Sequence, residues 1–401
     1  MSGFDYDLII VGGGLVGGSL ALALRNSPLR VAVVEALSED ERRSAPAGRR
    51  ALALAQGSAQ ILNQLGIWAA IEPAATPIAH IHVSDRGHFG KTHIGAEREG
   101  VSALGYIATA RDIEDRIVAA LGQGSADVLH PARVIGLRAG DDRICVTLKH
   151  GESHQNLTAR LIVGADGGNS SVRKLLDIGQ SMREYGQTAI VVEVSTERDH
   201  RCTAYERFTP SGPLALLPLG KKRCSVVWTL SNADAEELMG LPESMFLDTL
   251  QETFGYWVGR LALVSSRERF PLRLIQAARM TDRRVVLIGN AVHQLHPVAG
   301  QGFNLGLRDV AQLAEMLVRR TEFGEDIGDE AFLKSYATAR KKDLDSVVFF
   351  TDGLVRLFSN SFPPLALARN LGLLALDCWP GAKQLLARHA MGLARRIPRF
   401  G

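Results

Sequence analysis

Five glycines within Val11-Gly12-Gly13-Gly14-Leu15-Val16-Gly17-Gly18, directly after the apolar run Asp7-Leu8-Ile9-Ile10, commit the start of this chain to a strand, a tight turn and a helix. Gly12, Gly14 and Gly17 give G-x-G-x-x-G. In a dinucleotide fold the first of these glycines makes the turn, the second lets backbone approach a pyrophosphate, and the third lets the helix pack closely. The phosphate then sits on a helix N-terminus. A second apolar run, Arg30-Val31-Ala32-Val33-Val34-Glu35, ends in an acid at about the 20-residue spacing where a carboxylate takes a ribose 2′-hydroxyl, which favours an adenosine without a 2′-phosphate. Leu8 to Leu24 carries no charge, yet it reads poorly as a secretory signal, because Asp5 and Asp7 stand where such a signal is positive.

A net charge of +3 with scattered Lys and Arg gives no nucleic-acid footprint. The four cysteines, Cys145, Cys202, Cys224 and Cys378, are far apart and form no C-x-x-C pair, which fits a reducing cytoplasmic compartment better than a disulfide framework. No metal site is expected: His293-Gln294-Leu295-His296 lacks an acidic partner pattern.

Along the chain, Ser38 to Arg50 reads as a polar surface loop and Ala53 to Trp68 as a helix. Ile78 to Thr92 alternates like strands, and Ile113 to Leu121 is helical. Thr188 to Phe270 reads as antiparallel strands interrupted by one helix, Pro242 to Phe254. The strand Val285 to Ile288 leads to a second glycine-rich loop and a long helix, Phe303 to Arg320. The economical topology is one doubly wound nucleotide domain, assembled from 1–75, 104–185 and 271–348, interrupted by a β-rich substrate domain from 76–103 and 186–270. A helical region, 349–401, closes the chain.

Two later segments join the N-terminal turn: Arg160-Leu161-Ile162-Val163-Gly164-Ala165-Asp166-Gly167-Gly168-Asn169-Ser170-Ser171-Val172-Arg173, and Val285-Val286-Leu287-Ile288-Gly289-Asn290-Ala291-Val292-His293 continuing through His296-Pro297-Val298-Ala299-Gly300-Gln301-Gly302-Phe303-Asn304. Together the three resemble the aromatic-ring flavoprotein monooxygenases related to para-hydroxybenzoate hydroxylase, and within them the hydroxylases of ubiquinone biosynthesis. The resemblance runs to about Arg340. Most relatives carry Gly-Asp at the late motif, where this chain has Asn290. Asn keeps an acceptor oxygen for a ribitol hydroxyl. With Thr76-Pro77-Ile78 and Val83-Ser84-Asp85-Arg86-Gly87, the departure resembles the 2-polyprenyl-6-methoxyphenol hydroxylase branch.

The resemblance implies a para-hydroxybenzoate hydroxylase-like α/β fold in which a Rossmann-type FAD domain is interrupted by the β-rich domain. FAD would be held by Gly12, Gly14, Gly17 and Glu35, by Asp166 and Gly167, and by Asn290. Arg50 and Arg111 fall where the family places arginines near the cofactor, and Gly302, Phe303 and Asn304 where it places the flavin ring. His296, Pro297, Gly300, Gln301 and Gly302 form the expected catalytic loop, while Tyr185 and Gln187 are candidate substrate lining. His293, His296 and Tyr185 are each open as the proton acceptor. NAD(P)H would reduce the flavin from a shared groove, since the chain has no second G-x-G-x-x-G for it. The implied reaction takes a 2-polyprenyl-6-methoxyphenol and O2 to the 1,4-benzoquinol, with a different ring position, a different aromatic, or a non-catalytic FAD scaffold as alternatives. A flavin halogenase is disfavoured because W-x-W-x-I-P is absent and Trp228 stands alone.

The tail from Phe349 combines apolar residues with Arg369, Lys383, Arg388, Arg395, Arg396 and Arg399. Such a segment either lies on the inner face of a membrane, docks into a ubiquinone-biosynthesis complex, or caps its own domain. No stretch in it reaches the roughly 20 apolar residues of a span.

Overall fold

A computed structural model describes residues 3–45, 48, 50–294, 301–358, 380–394 and 396–400. The first strand, Tyr6–Val11, is the centre of an eight-stranded sheet. It pairs in parallel with Val31–Val34 on one side and with Ser153–Gly164 on the other. Val285–Leu287 extends the parallel set beyond Ser153–Gly164. Leu8, Ile9 and Ile10 are fully buried, as a continuous apolar run must be when both faces of a sheet are covered, Leu8 and Ile10 by helices and Ile9 largely by the strands Arg133–Ala139 and Ile144–His150. Helices Leu15–Ala23 and Gln301–Glu322 pack on one of those faces around Leu20, Val310 and Leu313.

The second sheet has nine strands and is mostly antiparallel. Its core comes from Gln180–Thr196, Thr203–Thr209, Gly212–Pro218 and Arg223–Ser231, and His80–Asp85 joins in parallel to Thr203–Thr209. A small antiparallel sheet of Ala51–Ala55, Thr76–Ile78 and Gly105–Thr109 lies in the stretch between the first two βα units and the rest.

Several elements differ from their sequence reading. The expected helix from Ala53 starts as a strand, Ala51–Ala55, and becomes helical only over Gln56–Gln64. Leu52 and Leu54 alternate there with alanines, and pairing with Gly105–Thr109 overrides helical propensity. The expected loop after Ser38 contains a helix, Glu39–Ser44, which Ser38 and Glu41 close as a capping box. Two helices interrupt the antiparallel strands, Asn232–Gly240 as well as Glu243–Phe254. The helix Glu330–Phe358 runs unbroken across position 348. Pro380–Ala390 caps the β-rich side, with Ala387 and Met391 buried against Ile78, Ile94 and Ala204. No described helix is long and apolar enough to cross a membrane.

Candidate active site

Both large sheets face one cavity of about 1660 Å³. Sites for a single small ligand run to roughly 300–1,000 Å³, so this one has room for a dinucleotide and a second molecule together.

At the nucleotide end, two glycines are demanded by the protein itself. Gly12 has φ of +102°, and a Cβ there would stand 2.6 Å from the Ala165 carbonyl oxygen. A Cβ on Gly17 would stand 1.9 Å from the Gly12 oxygen. Gly14 is different: its φ is −70°, and a Cβ there meets no protein atom within 4 Å. The free space beside it opens on the cavity, the arrangement a pyrophosphate approaching bare backbone requires. Glu35 is fixed beside it, its Oε2 accepting from the Gly13 amide at 2.7 Å and its Oε1 from the Leu37 amide at 2.8 Å.

Asp166 also lines the cavity. Its Oδ2 accepts from the Ser171 amide (2.6 Å), the Ser171 hydroxyl (2.7 Å) and the Val172 amide (3.1 Å). Its Oδ1 is buried with no partner among the described residues. A buried acceptor costs stability until a donor reaches it, and a dinucleotide's hydroxyls are such donors. The open side of Gly14 and this orphaned oxygen both fit FAD.

Asn290 lines the same cavity from the turn Gly289–Ala291, and that turn is held from behind. Asp309 Oδ2 accepts from the Gly289 amide at 3.0 Å and pairs with His293 Nε2 at 3.0 Å. Arg340 Nε donates to Asp309 Oδ1 at 2.7 Å, and its Nη1 to Asp343 at 2.8 Å. Burial would raise the Asp309 carboxyl, but Arg340 and His293 outweigh it and hold it well below the usual carboxylate range. Arg173, also buried, donates to the Ala291 and Gly168 carbonyls at 2.7 and 2.6 Å, stapling the two later cofactor segments together.

Gln301, Gly302 and Phe303 line the cavity at the start of their helix. Asn304 lines it too, yet its side chain is a staple: Oδ1 accepts from the Ala55 amide and the Ser58 hydroxyl, and Nδ2 donates to the Ala53 carbonyl. Arg50 is a cavity residue whose guanidinium burial lowers, against the opposing pull of Glu268. Gly167 is there as well. Arg111 is not among the lining residues; it donates to the Ala45 carbonyl at 3.1 Å and supports the loop before Arg50.

Tyr185 and Gln187 lie away from the lining as well, Tyr185 near Arg183 and Gln187 bonded to the Ser211 carbonyl at 2.7 Å. His293 belongs to the Asp309 network rather than to the cavity wall. His296, Pro297 and Gly300 lie outside the described residues. The sequence reading passed over the sheet wall itself, where Val83, Glu206, Ala215 and Val227 face the cavity, together with the Asp309–Arg340 clamp. The clamp's only sequence signal was the position of Asp309, one helical turn and a half past Asn304.

The family model described as FAD binding domain matches residues 5–351. Among curated proteins, ubiquinone hydroxylase UbiL of Rhodospirillum rubrum is 41% identical over 98% of this chain and 91% of its own length. The 3-demethoxyubiquinol 3-hydroxylase of Escherichia coli is 32% identical over 98% and 100%. The human mitochondrial ubiquinone biosynthesis monooxygenase COQ6 is 30% identical over 95% and 92%. Among solved structures, p-nitrophenol 4-monooxygenase PnpA of Pseudomonas putida superposes with a TM-score of 0.79 at 19% identity, covering 98% of this chain and 99% of the other.

Proposed function

The chain belongs to the FAD-binding family whose model spans residues 5–351, and from that premise we propose that it is an NAD(P)H-dependent aromatic-ring monooxygenase hydroxylating a prenylated phenol in ubiquinone biosynthesis. The observation that carries this is the shared cavity: a nucleotide cradle at one end, an apolar sheet wall at the other, and room for both ligands. The names of the relatives above point to ubiquinone precursors.

When bound, FAD would supply the redox chemistry between NAD(P)H as reductant and O2 as oxidant. The residues do the rest. Gly12 and Gly14 would receive the pyrophosphate, with Gly17 packing the helix closely behind them, Glu35 would take the adenosine ribose, and Asp166 and Asn290 would meet the hydroxyls between adenosine and flavin. Gln301 and Gly302 open the helix that meets the ring, where a helix N-terminus stabilises negative charge by roughly 0.3–1 kcal/mol, up to about 2 when partly buried. The apolar wall keeps water from the reacting centre and takes the prenyl chain.

The ring position we favour is the carbon para to the hydroxyl of a 2-polyprenyl-6-methoxyphenol, which is electron-rich and free while both ortho carbons are blocked. Incubating the FAD-loaded protein with that phenol, NAD(P)H and ¹⁸O2 should give a labelled 1,4-benzoquinol. Label at another ring carbon would move the protein to a different step, as the relative named for position 3 suggests. An unlabelled ring would end the monooxygenase reading. We further place the enzyme at the inner face of a membrane or in a biosynthetic complex, because its substrate's prenyl chain partitions into lipid; vesicle flotation tests the first placement and co-purification the second.

A further inference from the structure

One row of side chains crosses the cavity face of the nine-stranded sheet. Thr92, Val83, Glu206, Ala215, Val227 and Val191 are successive cross-strand partners, and all line the cavity. Glu206 is the only charged one. On its own strand the same face carries Ala204 and Phe208. The nearest wall is therefore a ring of small or apolar side chains.

No hydrogen-bond donor or counter-charge among the described residues reaches the Glu206 carboxyl, and burial alone pushes it up to about 7. The other charged groups around it are occupied elsewhere. Glu193 and Arg223, farther along the same face, pair with each other. Glu268 acts on Arg50. His82, Lys91 and Arg207 alternate to the opposite face, where His82 stacks on Trp257. Glu35, Arg50, Arg133, Asp166 and Arg273 line the cavity without influencing Glu206.

Glu206 is half-buried, with its carboxyl open to the cavity and no protein partner among the described residues, so its partner is to be sought in what the cavity binds. A phenol hydroxyl is a donor of the right kind. We infer that Glu206 accepts the hydrogen bond of the substrate's ring hydroxyl and takes up its proton as the ring is oxidised, an assignment that rests on the phenol-hydroxylase reading above. The phenolic O–H bond breaks as the carboxyl O–H bond forms. The electron pair stays on the phenolic oxygen, enriching the para carbon, and the proton is given back when product leaves. O2 is the oxidant and NAD(P)H the reductant throughout.

The test uses the full-length, FAD-loaded protein and two variants, Glu206→Gln and Glu206→Leu. Hydroxylation of 2-methoxy-6-prenylphenol should fall about 10²- to 10⁴-fold in both, the range general-base removal gives, with FAD still bound. The wild-type kcat/KM should rise through a limb near pH 7 that Glu206→Gln lacks. Thermal denaturation separates this from a structural role. A carboxyl whose folded pKa is raised binds a proton that the unfolded chain gives up, so wild type should lose stability relative to Glu206→Gln as pH rises from 4.5 to about 7.

Retention of rate and pH limb in both variants overturns the assignment. A second arm works without turnover: perturbation of the bound flavin's absorbance should show wild type preferring the phenol over its O-methyl ether, and Glu206→Leu losing that preference. If wild type hydroxylates no prenylated phenol, the functional reading falls, and this arm alone decides Glu206. Loss of the preference upholds it, and a preference equal in wild type and variant sinks it.

Discussion

The two ends of the cavity are built by opposite means. At the nucleotide end, backbone makes the site: Gly12, Gly14 and the amides of Gly13 and Leu37 do the positioning, and side chains such as Glu35 and Asp166 are themselves clamped by amides. At the sheet wall, the backbone is spent on strand pairing and only side-chain identity is left to define the ligand. A site made of backbone tolerates few sequences; a site made of side chains on a fixed ladder can change one residue at a time. Substitutions at the first end should therefore remove cofactor, and those at the second should alter turnover while cofactor stays.

Gly14→Val presses hardest on that contrast. The position has ordinary φ and no protein neighbour within 4 Å of a Cβ, so the chain should fold with native circular dichroism and lose its yellow colour entirely. A folded variant with full FAD occupancy would show that the cradle holds something else. Arg340→Met comes next. It leaves Asp309 charged and buried behind the Gly289–Asn290 turn, and breaking a buried pair in this way costs about 3–5 kcal/mol, readable by urea denaturation.

Glu35→Ala should weaken FAD binding about 10- to 150-fold by fluorescence titration, since a hydrogen bond to a charged group contributes about 1.5–3 kcal/mol. Its loss also frees the Gly13 amide. The smallest effect is expected from Arg111→Ala. Its described bond goes to the Ala45 carbonyl and it does not line the cavity, so its loss reaches FAD only through the loop before Arg50 and affinity should drop by no more than about tenfold. A drop beyond a hundredfold would put Arg111 on the cofactor and blur the division between the two ends.

The same division explains what could be read from the chain. The glycine spacing and Glu35 were legible because a phosphate-binding turn imposes residue types at fixed offsets within one short stretch, whereas the Asp166 and Asn290 segments were legible only through their resemblance to a known family. Glu206 was not. In Thr203–Thr209 it sits between Tyr205 and Arg207, a pattern that reads as solvent-facing, and only pairing with Val83 and Ala215 puts it in an apolar row. Asn304 shows the converse limit. The motif marks it as a site residue, but the motif cannot say that its amide is spent on Ala53, Ala55 and Ser58. Likewise the stretch from Ala53 reads as helical until a strand about fifty residues later claims its first residues for the strand Ala51–Ala55.

The parallel neighbours of the first strand also set a timetable for synthesis. Tyr6–Val11 is made shortly before Val31–Val34, about 150 residues before its other partner Ser153–Gly164, and longer still before Val285–Leu287, which completes the parallel set. At 5–20 residues per second the fully apolar Leu8-Ile9-Ile10 segment waits on the order of ten seconds or more for that sheet to close. The nascent chain therefore pairs one edge of this apolar strand early, with Val31–Val34, and holds the other edge open until the later segments arrive, an interval in which that edge is exposed to other chains and to chaperones.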